Sequence, residues 1–299
     1  MSFSSAAKDE VCRTPLGRKC CAIAEACGIL LYCNTFSSEE IKIITENREF
    51  AFRLQGILKK AFGLVFDTRP DLNEGGSKLI YRITEKEKLN TVYRTLGYEA
   101  DGVVSHLINF GLLEDVCCRT SFVRGAFLAG GSVTAPEKRY HLEIVTSHFN
   151  VNRGMNSILL DMGFYPKDVE RKGHYVIYFK QSEAVEDFLT TIGAPVAAME
   201  VMNAKIQKDM RNSVQRQVNC DTANVEKAVE AAQDQITAIR QIEKNIGLES
   251  LSQKLQETAF LRVFNPEASL AELAKLSDPP VSKSCISYRL RKLIDMSGQ

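Results

Sequence analysis

The chain has 299 residues, with 38 Lys+Arg against 37 Asp+Glu and a formal net charge of +1. Hydrophobic residues make up 44% and charged residues 25%, which excludes wholesale disorder, collagen-like repeats and coiled-coil rods and predicts two domains, or three. The longest apolar stretch, residues 26–33, is far short of the roughly 20 residues that span a bilayer, and the N-terminus, with Asp9 and Glu10, lacks a signal-peptide core. A soluble, non-exported protein is expected, in which any positive surface for nucleic acid must be local.

The first two-thirds reads as a duplication. In the first copy an apolar helix is predicted over 20–33, a helix over 49–62 before Gly63-Leu64, strands near 64–69 and 77–83, and a helix over 85–96 ending at Gly97. The second copy repeats the plan. It has an apolar helix over 123–130, a strand in which Leu142, Ile144 and Thr146 alternate with Glu143 and Val145, a helix over 151–162 before Gly163-Phe164, a strand over 174–179, and a helix over 182–192 ending at Gly193. Such a repeat implies two similar halves, 1–105 and 106–195, packed on each other. Helices followed by strands make the class α+β with antiparallel sheets.

Beyond the repeat, 196–223 reads as a helical linker. Residues 203–218 hold Lys205, Lys208, Arg211 and Arg216 against one acid, Asp209, while Met202, Ile206, Met210, Val214 and Val218 recur every four residues. This amphipathic helix adds phosphate contacts, or is an interdomain helix with a solvated face; both readings stand. A further helix over 225–242, capped by Asp221 or Thr222, begins a terminal domain spanning 224–299.

The end of the chain is the most legible part. A helical stripe runs over 251–264, and Ser269 with Glu272 forms the S-x-x-E capping box of a short helix that must stop by Asp278-Pro279-Pro280. Ser282 is a second N-cap, for a helix over 283–294. Short helix, turn and longer basic helix is the helix-turn-helix plan. At about 100° per residue, Leu290 and Leu293 lie within ~40° of Ile286 and form the buried stripe. Ser284, Ser287, Tyr288 and Arg291 face the other way, flanked by Lys283, Arg289 and Lys292. Residues 282–292 contain four basic residues and no acid, and the N3 position after Ser282 is Cys285 rather than a phosphate-repelling Glu. Small hydroxyls with Arg and Tyr suit base edges and phosphates in a major groove; a solvated amphipathic face is the plainer alternative.

Nine cysteines, at 12, 20, 21, 27, 33, 117, 118, 220 and 285, show no C-x-x-C spacing, and the four histidines no H-x-x-x-H. Reduced, mostly buried thiols are expected, without metal or cofactor.

The segment Arg124-Gly125-Ala126-Phe127-Leu128-Ala129-Gly130-Gly131-Ser132-Val133 resembles the signature helix of LAGLIDADG homing endonucleases. In that family two such helices pack side by side through small residues, and each ends in an acid that holds a divalent metal over the scissile bond. Gly130 matches that acid here, and in the weaker first copy, Ala24 to Asn34, the match is Cys33 or, one residue on, Asn34. None of these replaces a carboxylate as a hard-metal ligand, so the resemblance implies a front domain without catalytic residues. The chain as a whole resembles the WhiA family of bacterial sporulation and cell-division regulators, in which a degenerate LAGLIDADG-like domain precedes a helix-turn-helix domain. The carrying residues are Cys20-Cys21 with Ala24-Glu25, the 124–133 segment, Met210-Arg211-Asn212-Ser213-Val214, Asn219-Cys220-Asp221-Thr222-Ala223-Asn224, and the runs 268–273, 279–284 and 289–292.

The resemblance implies a transcriptional regulator that binds promoter DNA. It would work in the cytoplasm at the nucleoid, with transcription or cell-division proteins as further partners and no membrane. The expected interface is Ser282, Lys283, Ser284, Ser287, Tyr288, Arg289, Arg291 and Lys292, with Arg211 and Arg216 on phosphates. The alternative is an active homing endonuclease with an appended DNA-targeting module; a third reading makes the front domain a protein-interaction platform.

Overall fold

The computed structural model describes residues 2–70, 78–98 and 106–298. The chain divides into two compact units, Met1–Lys208 and Asp209–Gln299. Among the described residues no helix is long and apolar enough to cross a membrane.

The first unit is α+β and duplicated. After α1 (Phe3–Arg13), the first copy runs α2 (Lys19–Tyr32), β1 (Thr35–Phe36), β2 (Ile41–Thr45), α3 (Arg48–Phe62), β3 (Leu79–Ile83) and α4 (Lys86–Leu96). The second runs α5 (Val116–Gly130), β4 (Gly131–Val133), β5 (Leu142–Thr146), α6 (Phe149–Asp161), β6 (Lys167–Arg171), β7 (His174–Phe179) and α7 (Ser182–Ile192). Each copy folds an antiparallel sheet, in the order β1-β2-β3 and β4-β5-β7-β6. Leu142, Ile144 and Thr146 are buried as the alternation requires. The glycines that mark the repeat share one backbone role. Gly63, Gly97, Gly163 and Gly193 all have φ between 72° and 99°, where the chain leaves a helix in the left-handed conformation.

Two expectations need correction. No strand forms over 64–69, where only Thr68 bridges Arg82. Asp67 is used instead to close the next helix, its Oδ2 accepting the amides of Thr84 at 2.6 Å and Glu85 at 2.8 Å. Residue 77 of the second predicted strand, and the predicted half-boundary at 105, lie outside the described residues. The second correction concerns the helix over 225–242: it has no cap at Asp221 or Thr222, because α8 (Pro195–Asn245) is continuous through both. Strand β6 and helix α1 were not anticipated. The Glu10 carboxylate of α1 accepts the amides of Val196 at 2.7 Å and Ala197 at 3.0 Å, which satisfies the start of α8.

Helices α2 and α5 form the axis of the first unit. They are apolar nearly all round because each packs on its twin and on its own copy's elements. A Cβ on Gly28 would fall 2.2 Å from the Phe122 carbonyl oxygen, and one on Gly125 would fall 2.1 Å from that of Glu25, so backbone meets backbone at both crossing points. Glu25 is buried there and is held by Arg53, whose Nε and Nη2 lie 2.5 and 2.9 Å from its carboxylate oxygens. Arg124, first residue of the signature, is buried too. Its Nε donates to the Ile192 carbonyl at 2.7 Å and its Nη1 stands 3.8 Å from Glu25.

The second unit is all helical. The end of α8 supplies Ile239 and Ile242 to a core shared with α9 (Gln253–Phe264), α10 (Leu270–Leu276) and α11 (Lys283–Ser297).

Candidate nucleic-acid interface

The capping box at Ser269 is complete. The Ser269 Oγ accepts the Glu272 amide, and the Glu272 carboxylate accepts the Ser269 amide at 2.7 Å. Ser282 caps α11 by accepting the Cys285 amide at 3.2 Å, so its hydroxyl is engaged by its own helix. The connection is tied by the Val281 amide, which donates to the Ala274 carbonyl at 3.0 Å. The preceding loop is held by Arg262, a residue the sequence pattern did not single out. Buried at the end of α9, Arg262 donates from Nη1 to the Ala268 carbonyl at 2.7 Å.

Ile286, Leu290 and Leu293 of α11 are at most 1% exposed, on the predicted stripe. The opposite face projects outward. Lys283, Ser284, Tyr288, Arg291 and Lys292 are exposed, Tyr288 at 68%, and Ser287 is half-buried. Arg289 stands apart from them. It is half-buried, with Nη1 3.4 Å from Thr258 Oγ1 on α9, so part of its donor set faces inward. Arg211 and Arg216 are exposed on α8. The arrangement is a rigid, capped helix presenting hydroxyl, phenol and guanidinium groups from one side, the donor set that base edges and phosphates accept.

The ends of α2 and α5 tell a different story. Gly28 and Gly125 each precede by five residues the position that would carry a metal-binding acid, Cys33 and Gly130. A Cβ on Gly130 would stand 2.7 Å from the Val145 carbonyl oxygen and 2.9 Å from Tyr32 Cδ1, so a carboxylate side chain does not fit there. Cys33 directs its thiol to the carbonyls of Leu30 and Thr35, both at 3.1 Å, and burial pushes it up to about 12, so it is a neutral thiol at physiological pH. Asn34 is also occupied, its Oδ1 accepting the Ile44 amide at 2.8 Å. A cavity of about 540 Å³ opens beside these positions, and among the described residues lining it Glu46 is the only carboxylate. These residues do not fit the hard divalent metal of a cutting site, which requires clustered oxygen ligands.

Two family models match the chain: the WhiA LAGLIDADG-like domain over residues 119–211 and the WhiA C-terminal HTH domain over residues 214–297. A protein of Ruminiclostridium cellulolyticum named "Probable cell division protein WhiA" is 41% identical, across 99% of this chain and 97% of that protein. One of the same name from Clostridium acetobutylicum is 39% identical over 98% and 96%. The crystal structure of full-length DUF199/WhiA from Thermatoga maritima superposes with a TM-score of 0.61 at 25% identity, covering 100% of this chain and 98% of that one. With both domains in order and relatives aligned from end to end, this chain belongs to the WhiA family.

Proposed function

We propose that this chain is a sequence-specific DNA-binding transcriptional regulator of the sporulation and cell-division type, and that its front domain binds without cutting. The carrying observation is the outward face of α11. It is acid-free from 282 to 292, capped by Ser282 and held rigid through Ile286, Leu290 and Leu293. Helix α11 enters a major groove of promoter DNA, where Arg291, Ser284, Ser287 and Tyr288 touch bases. Lys283, Lys292, Arg211 and Arg216 neutralise phosphates; Arg289 adds a phosphate contact once it turns from Thr258. Ser282 contributes as the cap that sets the start of the reading helix. Such a protein acts at the nucleoid in the cytoplasm.

Binding to a selected site and to random DNA tests the assignment. Arg291→Ala should cost ~1–3 kcal/mol on the selected site and far less on random DNA, whereas Lys292→Ala should weaken both and lower the salt slope by about one. Equal losses for Arg291→Ala on both DNAs refute the base-reading role. The misfit of Gly130, Cys33 and Asn34 to a metal supports the non-cutting front domain. Incubation with Mg²⁺ and plasmid libraries tests that half of the proposal, and metal-dependent nicking would overturn it in favour of a homing-type endonuclease.

A further inference from the structure

Four cysteines converge where the two axial helices begin. Cys20 and Cys21 are the second and third residues of α2, and Cys117 and Cys118 hold the same positions in α5. Cys21 lies seven residues before Gly28, and Cys118 seven before Gly125, so both pairs occupy one place in the duplication. The thiols of Cys20, Cys21 and Cys118 lie within 4.8 Å of one another; Cys117 lies within that distance of Cys118 and Asp115. Cys21 Sγ and Cys117 Sγ are 3.4 Å apart. Four sulfurs placed tetrahedrally around zinc at ≈ 2.3 Å would stand about 3.8 Å from each other. The Cys21–Cys117 separation is close to that spacing, and small side-chain rotations of Cys20 and Cys118 toward Cys117 would gather the four sulfurs into a tetrathiolate cage.

The electrostatics agree with the geometry. Both helices point their N-terminal ends, each equivalent to roughly half a positive charge, at the cluster. Arg18 Nη2 is 3.1 Å from Cys117 Sγ and 2.9 Å from Asp115. That contact draws the Cys117 thiol below its ordinary value, while burial holds Cys21 and Cys118 above theirs. Among the described residues Cys12, Cys27, Cys33, Cys220 and Cys285 belong to no such group. A disulfide between Cys21 and Cys117 would use two of these sulfurs, whereas one metal ion can draw on all four.

We propose that Cys20, Cys21, Cys117 and Cys118 bind one soft divalent cation of the zinc type, which staples the starts of α2 and α5 across the duplication. The site is structural rather than catalytic, since four protein ligands leave no open position. Each thiol gives its proton to solvent as it coordinates, so uptake weakens as the pH falls.

The whole 299-residue chain, stripped with a chelator under reducing conditions and titrated with Co²⁺ alone, is the test. One Co²⁺ per chain should enter, with thiolate charge-transfer absorption and the visible bands of tetrahedral cobalt, and one equivalent of Zn²⁺ should displace it. Alkylation mapped by mass spectrometry should show Zn²⁺ protecting these four cysteines and not Cys220. The C20S/C117S double variant should lose at least 100-fold in affinity while C220S/C285S keeps it; should the former fail to fold, the protection map on the unaltered chain decides. Absence of stoichiometric Co²⁺ uptake, equal protection at Cys220, or full affinity in a folded C20S/C117S variant overturns the proposal. So does a Cys21–Cys117 disulfide in a protein that binds no metal after reduction.

Discussion

Replacing Gly125 by alanine probes the axis of the first unit directly. The new Cβ would lie 2.1 Å from the Glu25 carbonyl oxygen and 3.1 Å from the Ile29 amide nitrogen, both backbone atoms of α2 that no rotamer change can move. A relaxed carbon–oxygen approach is about 3.3–3.6 Å, so the helices must part by roughly 1 Å. A gap of that size forfeits a quarter to a half of each dispersion contact along the seam, where Phe122, Ala126 and Ile29 are at most 1% exposed. Overpacking of this kind costs about 1–3 kcal/mol or more, against about 1 kcal/mol gained from alanine's better helix propensity. With the packing loss at the upper end of that range, the net expectation is a loss near 2 kcal/mol, or a fall of about 4–8 °C in melting temperature for a unit of this size. Gly56→Ala is the matched control. It too lies inside a helix, but its Cβ would meet only the Leu16 side-chain tip at 3.2 Å, so it should be neutral or stabilising. There is no tryptophan, and of the nine tyrosines only Tyr288 lies outside the first unit, so near-ultraviolet dichroism reports that unit's melting. If Gly125→Ala melts with the unaltered chain while Gly56→Ala falls below it, the close-approach reasoning fails.

Leu290→Ala removes a side chain that is 1% exposed from the second core and should cost about 2–5 kcal/mol, lowering thermal stability and DNA binding together, whereas Ser284→Ala should change binding without changing the melt. Lys8 offers a pH test. Burial lowers it to about 8, while it donates to the Leu128 carbonyl at 3.0 Å. The folded chain therefore releases this proton before the unfolded chain does, and the resulting penalty is full below about pH 8 and fades as pH rises toward 10.5. Lys8→Met should accordingly raise the melting temperature of the first unit at pH 7, by an amount that shrinks at pH 10; a difference that grows with pH contradicts the burial argument.

What could be read before the fold was known is what short-range chemistry dictates. Ser269, Glu272 and Ser282 announced two helix starts because an N-cap is decided within four residues. The duplicated glycines announced helix ends, which the structure makes left-handed exits, and Ile286, Leu290 and Leu293 announced a buried stripe. Propensity misled at Asn219-Cys220-Asp221-Thr222, a string of cap-forming residues, yet with no proline or glycine from 196 to 245 nothing there forces a break in α8. Tertiary placement was illegible. Arg289 turns toward Thr258 on another helix, and Arg262 ties a loop that follows its own helix. The expectation of mostly buried thiols held for Cys21, Cys27 and Cys118; Cys20, Cys117 and Cys220 are exposed and three are half-buried. Nor does C-x-x-C spacing have any bearing on cysteines that meet only because two helices pack. The legible signal was the recurrence of a Cys-Cys pair seven residues ahead of each crossing glycine.

Gly130 sets a limit on what its position can accept. With Val145 and Tyr32 closed over that spot, a single substitution to aspartate would push against strand backbone and a buried ring before it could offer an oxygen to any ion. Seating a carboxylate at this position would take coordinated changes in the helix end, in Tyr32 and in the path of β5. The smallest side chain is thus locked in at this helix end, because the strand beside it leaves no volume for a larger one.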